Sequence, residues 1–220
     1  SGNTASGHYS LGQNTIGCQN TAIGNTALCI NSTGNCNTAV GSMALRFNTT
    51  GSCNVAIGNC ALNANTVGRR NTASGTYSLR CNTTGIYNSG FGYAALMFNT
   101  SGGYNTASGY KALYSNTTAS FNSAFGTSSL YNNTTGAKNT SSGYNSMYNN
   151  TTGGNNTVSG YKSLQYNTTG SDNTAFGFRV LRNNTASSNT AVGTNAMYTN
   201  TTGTLNTAVG KNALYANTSG

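Results

Sequence analysis

The sequence predicts an all-β fold, a β-solenoid of the β-roll or β-helix kind with about 13 rungs of 17 residues and uncapped ends. Three observations predict this fold. A unit reading roughly N-T-A-x-G-x-x-A-L-x-x-N-T-T-G-x-x recurs along the chain, two glycines recur at fixed places within it, and its apolar positions are few. Repeats this short form stacked arrays because one unit alone cannot bury its apolar side chains.

The repeat spans residues 1–220 as a single array. Its first asparagine, Asn3, returns every 17 residues as far as Asn173, and the series resumes at Asn189 after one residue is lost near 182–188. No shift in composition divides the chain into domains. Helical repeats need about 30 residues or more for two helices, so this shorter unit indicates strands and turns.

Glycine and leucine are predicted to mark the corners and the core of each rung. A glycine that ends every N-T-A-x-G segment indicates positive φ or a very close backbone approach. These corner glycines include Gly24, Gly41, Gly58, Gly75, Gly109, Gly160 and Gly210. The largest regular apolar position predicts the structural core, at Leu28, Leu45, Leu62, Leu96, Leu113, Leu130, Leu164, Leu181 and Leu214. With one leucine and mostly alanine beside it, this core is thin.

Asparagine and threonine are expected to stabilise the stack along its axis. Stacked amides donate to and accept from each other, so we predict two asparagine ladders. One contains Asn20, Asn37, Asn54 and Asn71, and the other contains Asn48, Asn82, Asn99, Asn133, Asn150 and Asn167. β-branched threonine suits a pleated strand, and in-register hydroxyls are predicted to bond up and down the stack.

The six cysteines all lie in the first five repeats, and two of them share a position. Cys36 and Cys53 are one repeat apart. Stacked rungs would place them about 4.8 Å apart, which is inside the Cα range of a disulfide. We therefore predict a disulfide between these two, with free thiols in tolerant positions as the alternative.

Charge and hydropathy exclude several classes of partner. The net charge of +9 comes from ten scattered basic residues, with Arg69 and Arg70 the only adjacent pair. Specific nucleic-acid binding needs a clustered basic face with a recognisable motif, so we expect none, only loose attraction to anionic polysaccharide. The longest apolar run is far too short for a membrane span.

Catalytic and metal-binding chemistry is not expected. The chain has no glutamate, and its one aspartate, Asp172, lies more than nine repeats from its one histidine, His8. General acid–base catalysis needs such groups placed together. A single acid cannot build a calcium site, and no C-x-x-C accompanies the histidine for zinc. We predict that the protein is not an enzyme and needs no cofactor.

The two ends of the sequence are in phase with each other. Ser1 and Gly2 would fill the last two positions of the unit that Ser219 and Gly220 leave incomplete. Joining one chain to the next therefore continues the repeat. We expect either that subunits stack end to end through these assembly ends or that the sequence is a window from a longer array.

The motif resembles known repeat proteins. Residues 37–45 (N-T-A-V-G-S-M-A-L) and 206–214 (N-T-A-V-G-K-N-A-L), each followed by N-T-[TS]-G, are similar to repeats of phage tail-fibre-like and bacterial surface proteins that often end in an endosialidase-type chaperone domain. More distantly, N-T-A-V-G looks like the β-roll units of trimeric autotransporter adhesin heads. The resemblance implies a fibrous role outside the cell or on a cell or virion surface. Adhesin heads use shorter units, and these residues contain no chaperone domain.

These observations favour a non-enzymatic structural subunit or segment of an extracellular fibre that binds copies of itself, head to tail and also laterally. The alternative is an adhesin or ice-binding solenoid with threonine or tyrosine columns as its face and surface glycans as partners. The threonine columns are interrupted at four positions, Val55, Ser32, Ser89 and Ser123. Glycosylation is a further expectation from the N-x-[ST] sequons at Asn31, Asn48, Asn82, Asn99, Asn116, Asn133, Asn150, Asn167, Asn200 and Asn217.

Overall fold

The computed structural model of the protein describes residues 2–220. The chain divides into two compact units, Ser1–Ser108 and Gly109–Gly220. Each unit is a β-solenoid built from stacked turns of 17 residues, with parallel strands and no helix among residues 2–220. The predicted fold class is therefore confirmed. A rung here runs from one N-T-A asparagine to the residue before the next.

Each rung contributes one strand of three residues, the T-A-x segment of the repeat. The strands of the first unit are β1 (Thr4–Ser6), β2 (Thr21–Ile23), β3 (Thr38–Val40), β4 (Val55–Ile57), β5 (Thr72–Ser74), β6 (Ser89–Phe91) and β7 (Thr106–Ser108). Those of the second are β8 (Ser123–Phe125), β9 (Thr140–Ser142), β10 (Thr157–Ser159), β11 (Thr174–Phe176), β12 (Thr190–Val192) and β13 (Thr207–Val209). Within each unit, neighbouring strands pair in parallel and equivalent residues are partners, as Ala22 is with Ala39.

Hydrogen bonds between rungs continue well beyond the short strands. The N–H of Leu28 donates to the carbonyl of Ala44 at 2.9 Å, and two residues later Ile30 donates to Arg46 at 3.0 Å. At the corner, the N–H of Gly41 donates back to Ile23 at 2.8 Å. A rung is thus bonded to both neighbours, which satisfies backbone groups that a turn would otherwise leave unpaired.

The core is a single column of leucine and methionine beside small residues. The column is fully buried from Leu28 to Leu96 in the first unit and from Leu113 to Met197 in the second. Leu214 is an exception to the prediction, because 46% of its surface is exposed. It lies in the last rung, where no later rung covers it. Burial here depends on the neighbouring rung more than on the residue type.

Backbone conformation is the main feature that the sequence did not reveal. Three non-glycine residues of a rung adopt positive φ, for example Thr26 at 52°, Leu28 at 50° and Cys36 at 56°. Side chains other than glycine, asparagine and aspartate rarely adopt this left-handed region, because the Cβ atom then lies too close to the backbone. The bonds between rungs hold these residues in place, as they do for Leu28.

The two recurring glycines are favoured for different reasons. Gly58 has φ +129°, a value that L side chains rarely adopt, and a Cβ there would lie 2.7 Å from the carbonyl carbon of Gly75. Gly68 has no positive φ, but its Cβ would strike Oδ1 of Asn65 and lie 2.9 Å from Nδ2 of Asn82. The first position therefore needs glycine for conformation and space, whereas the second favours it for space alone and is occupied by alanine at Ala119.

Two glycines of the first corner position separate the cost of backbone strain from the cost of steric contact with the next rung. Gly210 has nearly the same conformation as Gly58, φ +122°, but nothing lies within 4 Å of its added Cβ. We expect Gly210→Ala to cost about 1–3 kcal/mol of strain and Gly58→Ala to cost clearly more, because the rungs must also move apart. Urea denaturation of both variants measures the difference, and equal losses would contradict the close approach.

Candidate functional site

The candidate site is the pair of asparagine ladders and the glycine carbonyls between them. In the N-T-A ladder, the backbone N–H of Asn37 donates to Oδ1 of Asn20 at 3.0 Å. Its amide nitrogen donates to the same oxygen at 3.2 Å and to the carbonyl of Gly51 at 2.8 Å. Asn20 and Asn37 are completely buried.

The N-T-T ladder runs beside the first with a different pattern of bonds. Nδ2 of Asn48 donates to Oδ1 of Asn31 at 2.8 Å and to the carbonyl of Gly51, three residues later, at 2.9 Å. Nδ2 of Asn65 in turn donates to Oδ1 of Asn48 at 2.7 Å. Both hydrogens of each amide are therefore used.

Gly51 thus links the two ladders, because its carbonyl accepts one amide hydrogen from Asn37 and one from Asn48. The same pairing recurs in the second unit, where Gly153 accepts from Asn139 and Asn150, each at 2.9 Å. Unpartnered buried amides would cost about 1–3 kcal/mol each. The predicted ladders are confirmed, and the shared carbonyl is a feature that spacing alone did not predict.

The threonine hydroxyls of the N-T-T segment bond along the stack, as predicted, and their acceptor is a backbone carbonyl of the next rung. Oγ1 of Thr49 donates to the carbonyl of Thr66 at 3.0 Å. The backbone N–H groups of Thr49, Thr50 and Gly51 donate to that same oxygen at 3.0 to 3.2 Å. Three successive N–H groups therefore converge on one oxygen of the next rung, and the hydroxyl adds a fourth donor.

The shortened rung interrupts one ladder. Its segment reads N-T-A where other rungs read N-T-T-G or a variant of it. The carbonyl of Ala186 replaces that of glycine, accepting from Asn173 at 2.9 Å and from Asn184 at 2.7 Å. Oδ1 of Asn167 is buried and has no hydrogen-bond partner. One missing residue therefore leaves one buried acceptor unsatisfied.

The sequons mostly coincide with the buried ladder. Asn31 and Asn48 are fully buried, as are the other sequon asparagines Asn82, Asn99, Asn116, Asn133, Asn150, Asn167 and Asn200. Their Nδ2 atoms, the point of attachment for an N-linked glycan, face the interior of the stack, so the folded rung has no room for a sugar there. Among the ten asparagines predicted above, Asn217, half-buried in the last rung, is the exception.

The predicted aromatic columns are formed, and their rings stack on each other. In the second unit the centroids of Tyr114 and Tyr131 are 4.9 Å apart with an interplanar angle of 8°, and those of Tyr131 and Tyr148 are 5.0 Å apart. Tyr161 stacks in the same way on Tyr144 and Phe178. The ring faces are thus turned along the axis toward one another, and mainly ring edges face solvent.

Cations lie over several of these rings. The ammonium of Lys111 is 5.2 Å from the ring centroids of both Tyr110 and Tyr114, a cation–π arrangement. A hydrogen bond with Tyr110 raises the pKa of Lys111. Desolvation raises the pKa of Tyr131, and the nearby Lys111 opposes part of that rise. The basic residues are thus partly engaged with the aromatic columns.

The predicted disulfide is not formed. Cys36 and Cys53 are free and exposed, and the thiol of Cys36 donates to Oε1 of Gln19 at 3.2 Å. The physical reason is that side chains at equivalent positions of parallel rungs leave the backbone in parallel, about 4.8 Å apart. A disulfide needs its Cβ atoms about 3.5–4.5 Å apart, so the rungs would have to be drawn together.

The predicted assembly ends lie at the first and last residues of the chain. Ser1 lies outside the described residues, whereas Gly2, Ser219 and Gly220 are exposed. The carbonyl of Gly220 accepts from Asn206 at 2.6 Å and Asn217 at 3.0 Å, so it completes the last pair of ladder asparagines.

Within residues 2–220 there is no pocket, no cluster of three or more potential metal ligands, and no helix long and apolar enough to cross a membrane.

Comparisons with protein-family models, with curated proteins and with solved structures found no match for the chain. The resemblance to tail-fibre-like and surface-protein repeats therefore stays a prediction from the motif.

The ladders can be tested with one buried and one exposed asparagine of the first unit. Asn48→Ala removes the donor to Asn31 and the acceptor of Asn65, leaving two buried amides incomplete. We expect a loss of at least about 2 kcal/mol, since each incomplete group costs about 1–3. Asn25→Ala, at an exposed position, should change the free energy of unfolding by less than about 0.5 kcal/mol. Similar losses in both urea titrations would show that the ladder contributes little.

The shortened rung allows a test in the stabilising direction. Inserting one threonine after Thr185, together with Ala186→Gly, restores the N-T-T-G segment and should return a donor to Oδ1 of Asn167. We expect the free energy of unfolding to rise by about 1–3 kcal/mol. Ala186→Gly without the insertion is the matched control and should not stabilise the chain. A melting temperature that is unchanged by the insertion would contradict the proposed origin of the defect.

Proposed function

We propose that the chain is a non-enzymatic structural subunit or segment of an extracellular fibre, in which copies stack end to end through their terminal rungs. The observation that supports this proposal is the axial pattern of the ladders. Each rung donates to one neighbour and accepts from the other through the same atoms, as Asn37 and Asn54 do. Such a surface is complementary to a copy of itself.

The last rung carries the groups that an added rung would use. Interior ladder asparagines accept hydrogen bonds at Oδ1 from the next rung, whereas none of residues 2–220 donates to Oδ1 of Asn206 or Asn217. Leu214 of the same rung is 46% exposed, although the equivalent Leu62 is fully buried. A further rung would therefore cover an apolar side chain and continue both ladders.

The first rung offers the matching donors. Nδ2 of Asn14 donates to the carbonyl of Gly17 at 2.9 Å, which leaves its second hydrogen for an oxygen of a preceding rung. In the interior, Nδ2 of Asn31 donates the equivalent hydrogen to Oδ1 of Asn14 at 2.7 Å. Placed on the last rung of another copy, Asn14 would meet Asn217 and Asn3 would meet Asn206 in the register of the repeat.

A junction of this kind is expected to be reversible and dependent on concentration. Burying one leucine contributes about 1.5–3 kcal/mol and each new hydrogen bond about 0.5–1.5 kcal/mol. Association itself costs roughly 4–15 kcal/mol in lost freedom. The many parallel bonds of one rung offset that cost without making the contact irreversible.

An adhesin role has weaker support than the fibre role. Sugars stack on open aromatic faces, but the rings of Tyr114, Tyr131 and Tyr148 cover one another. Their stacking favours stabilisation of the solenoid over glycan binding. An ice-binding face would need regular threonine columns, and Val55, Ser89 and Ser123 interrupt the strand column.

End-to-end stacking can be tested by placing a charge on the terminal rung. We expect the native chain to show a sedimentation coefficient that rises with concentration and filaments in electron micrographs. Leu214→Lys should weaken this association at least tenfold, since an ammonium would be buried without a partner at the junction. The control is Leu205→Lys, at a side chain that is 82% exposed.

Three results of this experiment can be told apart. A native chain that stays monomeric at all concentrations would overturn the proposal. So would filaments that form equally well with Leu214→Lys, because the contact would then lie elsewhere on the surface. Loss of filaments in Leu205→Lys alone would indicate lateral association.

A further inference from the structure

We propose that Cys36 and Cys53 form a binding site for one monovalent soft metal ion, Cu(I) or Ag(I), held between two neighbouring rungs as a linear bis-thiolate. The site belongs to the first unit and is independent of the fibre proposal. Three properties of the pair support it: register, spacing and the absence of competing ligands.

Register places the two thiols on equivalent backbone. The N–H of Cys36 donates to the carbonyl of Cys18 at 3.0 Å, and the N–H of Cys53 makes the same bond to Asn35 at 2.9 Å. Their φ angles are 56° and 59°. Both side chains are exposed thiols. Each therefore leaves its rung in the same direction, one above the other.

Spacing favours a metal over a disulfide. Thiolate–metal bonds of about 2.3 Å give a sulfur–sulfur separation of about 4.6 Å when two thiolates bind one ion in a line. Neighbouring rungs are about 4.8 Å apart, so the site needs almost no movement of the backbone. A disulfide needs sulfur atoms about 2.05 Å apart, which requires the two side chains to converge.

The identity of the ion follows from the number and softness of the ligands. Zinc sites are almost always four-coordinate, and no cluster of three or more histidine, cysteine or acidic residues exists within residues 2–220. The nearby thiol of Cys18 already donates to Oδ1 of Asn35 at 3.2 Å. Two thiolates without further ligands suit soft ions such as Cu(I), which accept low coordination numbers.

Loss of the thiol protons is the main cost of binding, because a raised pKa opposes formation of the thiolate. Desolvation raises the pKa of the Cys36 thiol, and the neighbouring Cys53 and Cys18 raise it further. Binding converts two thiols and one M⁺ into a bis-thiolate complex of net charge −1 and releases two protons, without a change of oxidation state. Arg70, the next residue of the column, supplies a positive charge on the adjoining rung, where its guanidinium lies 5.2 Å from the Tyr87 ring.

The test uses Ag(I) as the probe, because it needs no reductant to hold its oxidation state. In a chain with Cys18, Cys29, Cys60 and Cys81 replaced by alanine, we expect one Ag(I) per chain in native mass spectra and two protons released per ion. Adding Cys53→Ser should weaken binding about 10²-fold or more, the gain normally obtained when a second ligand binds intramolecularly.

A chain with the same number of thiols is the matched control. It keeps only Cys29 and Cys81, which share no column, and should bind Ag(I) as weakly as the single-thiol variant. Equal affinity in this control, or one Ag(I) bridging two chains, would overturn the proposal. Loss of both thiols to an intramolecular disulfide in air would also overturn it, since the spacing argument would then be wrong.

Cys60 is buried, so its replacement can destabilise the chain. If the alanine background fails to fold, the otherwise native chain provides the same test. Cys36→Ser and Cys53→Ser should each remove one tightly bound Ag(I), along with the rise in melting temperature that this ion produces. Cys29→Ser should leave that ion in place, and its loss there would contradict the assignment.

Discussion

The buried asparagine amide is the group on which the rest of the structure depends. It has two hydrogens and an oxygen, and the interior of a narrow stack contains no solvent to bond them. In each unit the amide can be satisfied only if the next rung repeats the same residue at the same height, as Asn31 and Asn48 do. A regular period follows from this requirement, although the rung that is one residue shorter still places the N–H of Asn189 3.0 Å from Oδ1 of Asn173.

The same requirement explains the glycines and the unusual backbone. The carbonyl of Gly51 accepts two amides, and a Cβ on Gly51 would strike Oδ1 of Asn48. Left-handed conformations at residues such as Leu28 turn the chain tightly enough to fit a full rung around so small an interior. Local strain of about 1–3 kcal/mol at such residues is offset by hydrogen bonds to both neighbouring rungs.

Much of this arrangement was predictable from the sequence, because stacking places identical letters on top of each other. The ladders, the glycine corners and the leucine column all follow from that rule. Three features could not be predicted from the sequence: the positive φ of the core leucines, the glycine carbonyl that accepts two amides, and the threonine hydrogen bonds to backbone. All three depend on the path of the chain within one rung. Two residue predictions failed for a related reason. Cys36 and Cys53 lie at the right height but project in parallel, and Leu214 has the right residue type but no covering rung.

The shortened rung shows how tightly fold and proposed assembly are connected. Losing one residue leaves the N-T-A ladder intact, since Asn189 still donates to Asn173 at 3.0 Å, but it deprives Asn167 of its partner. A stack therefore tolerates a local mismatch at the cost of individual bonds, while the strand ladder preserves the register of the rungs that follow. A junction between two copies needs the same hydrogen-bond donors and acceptors as a junction between two rungs. Growth by addition of whole chains is thus the assembly that this interior chemistry supports best.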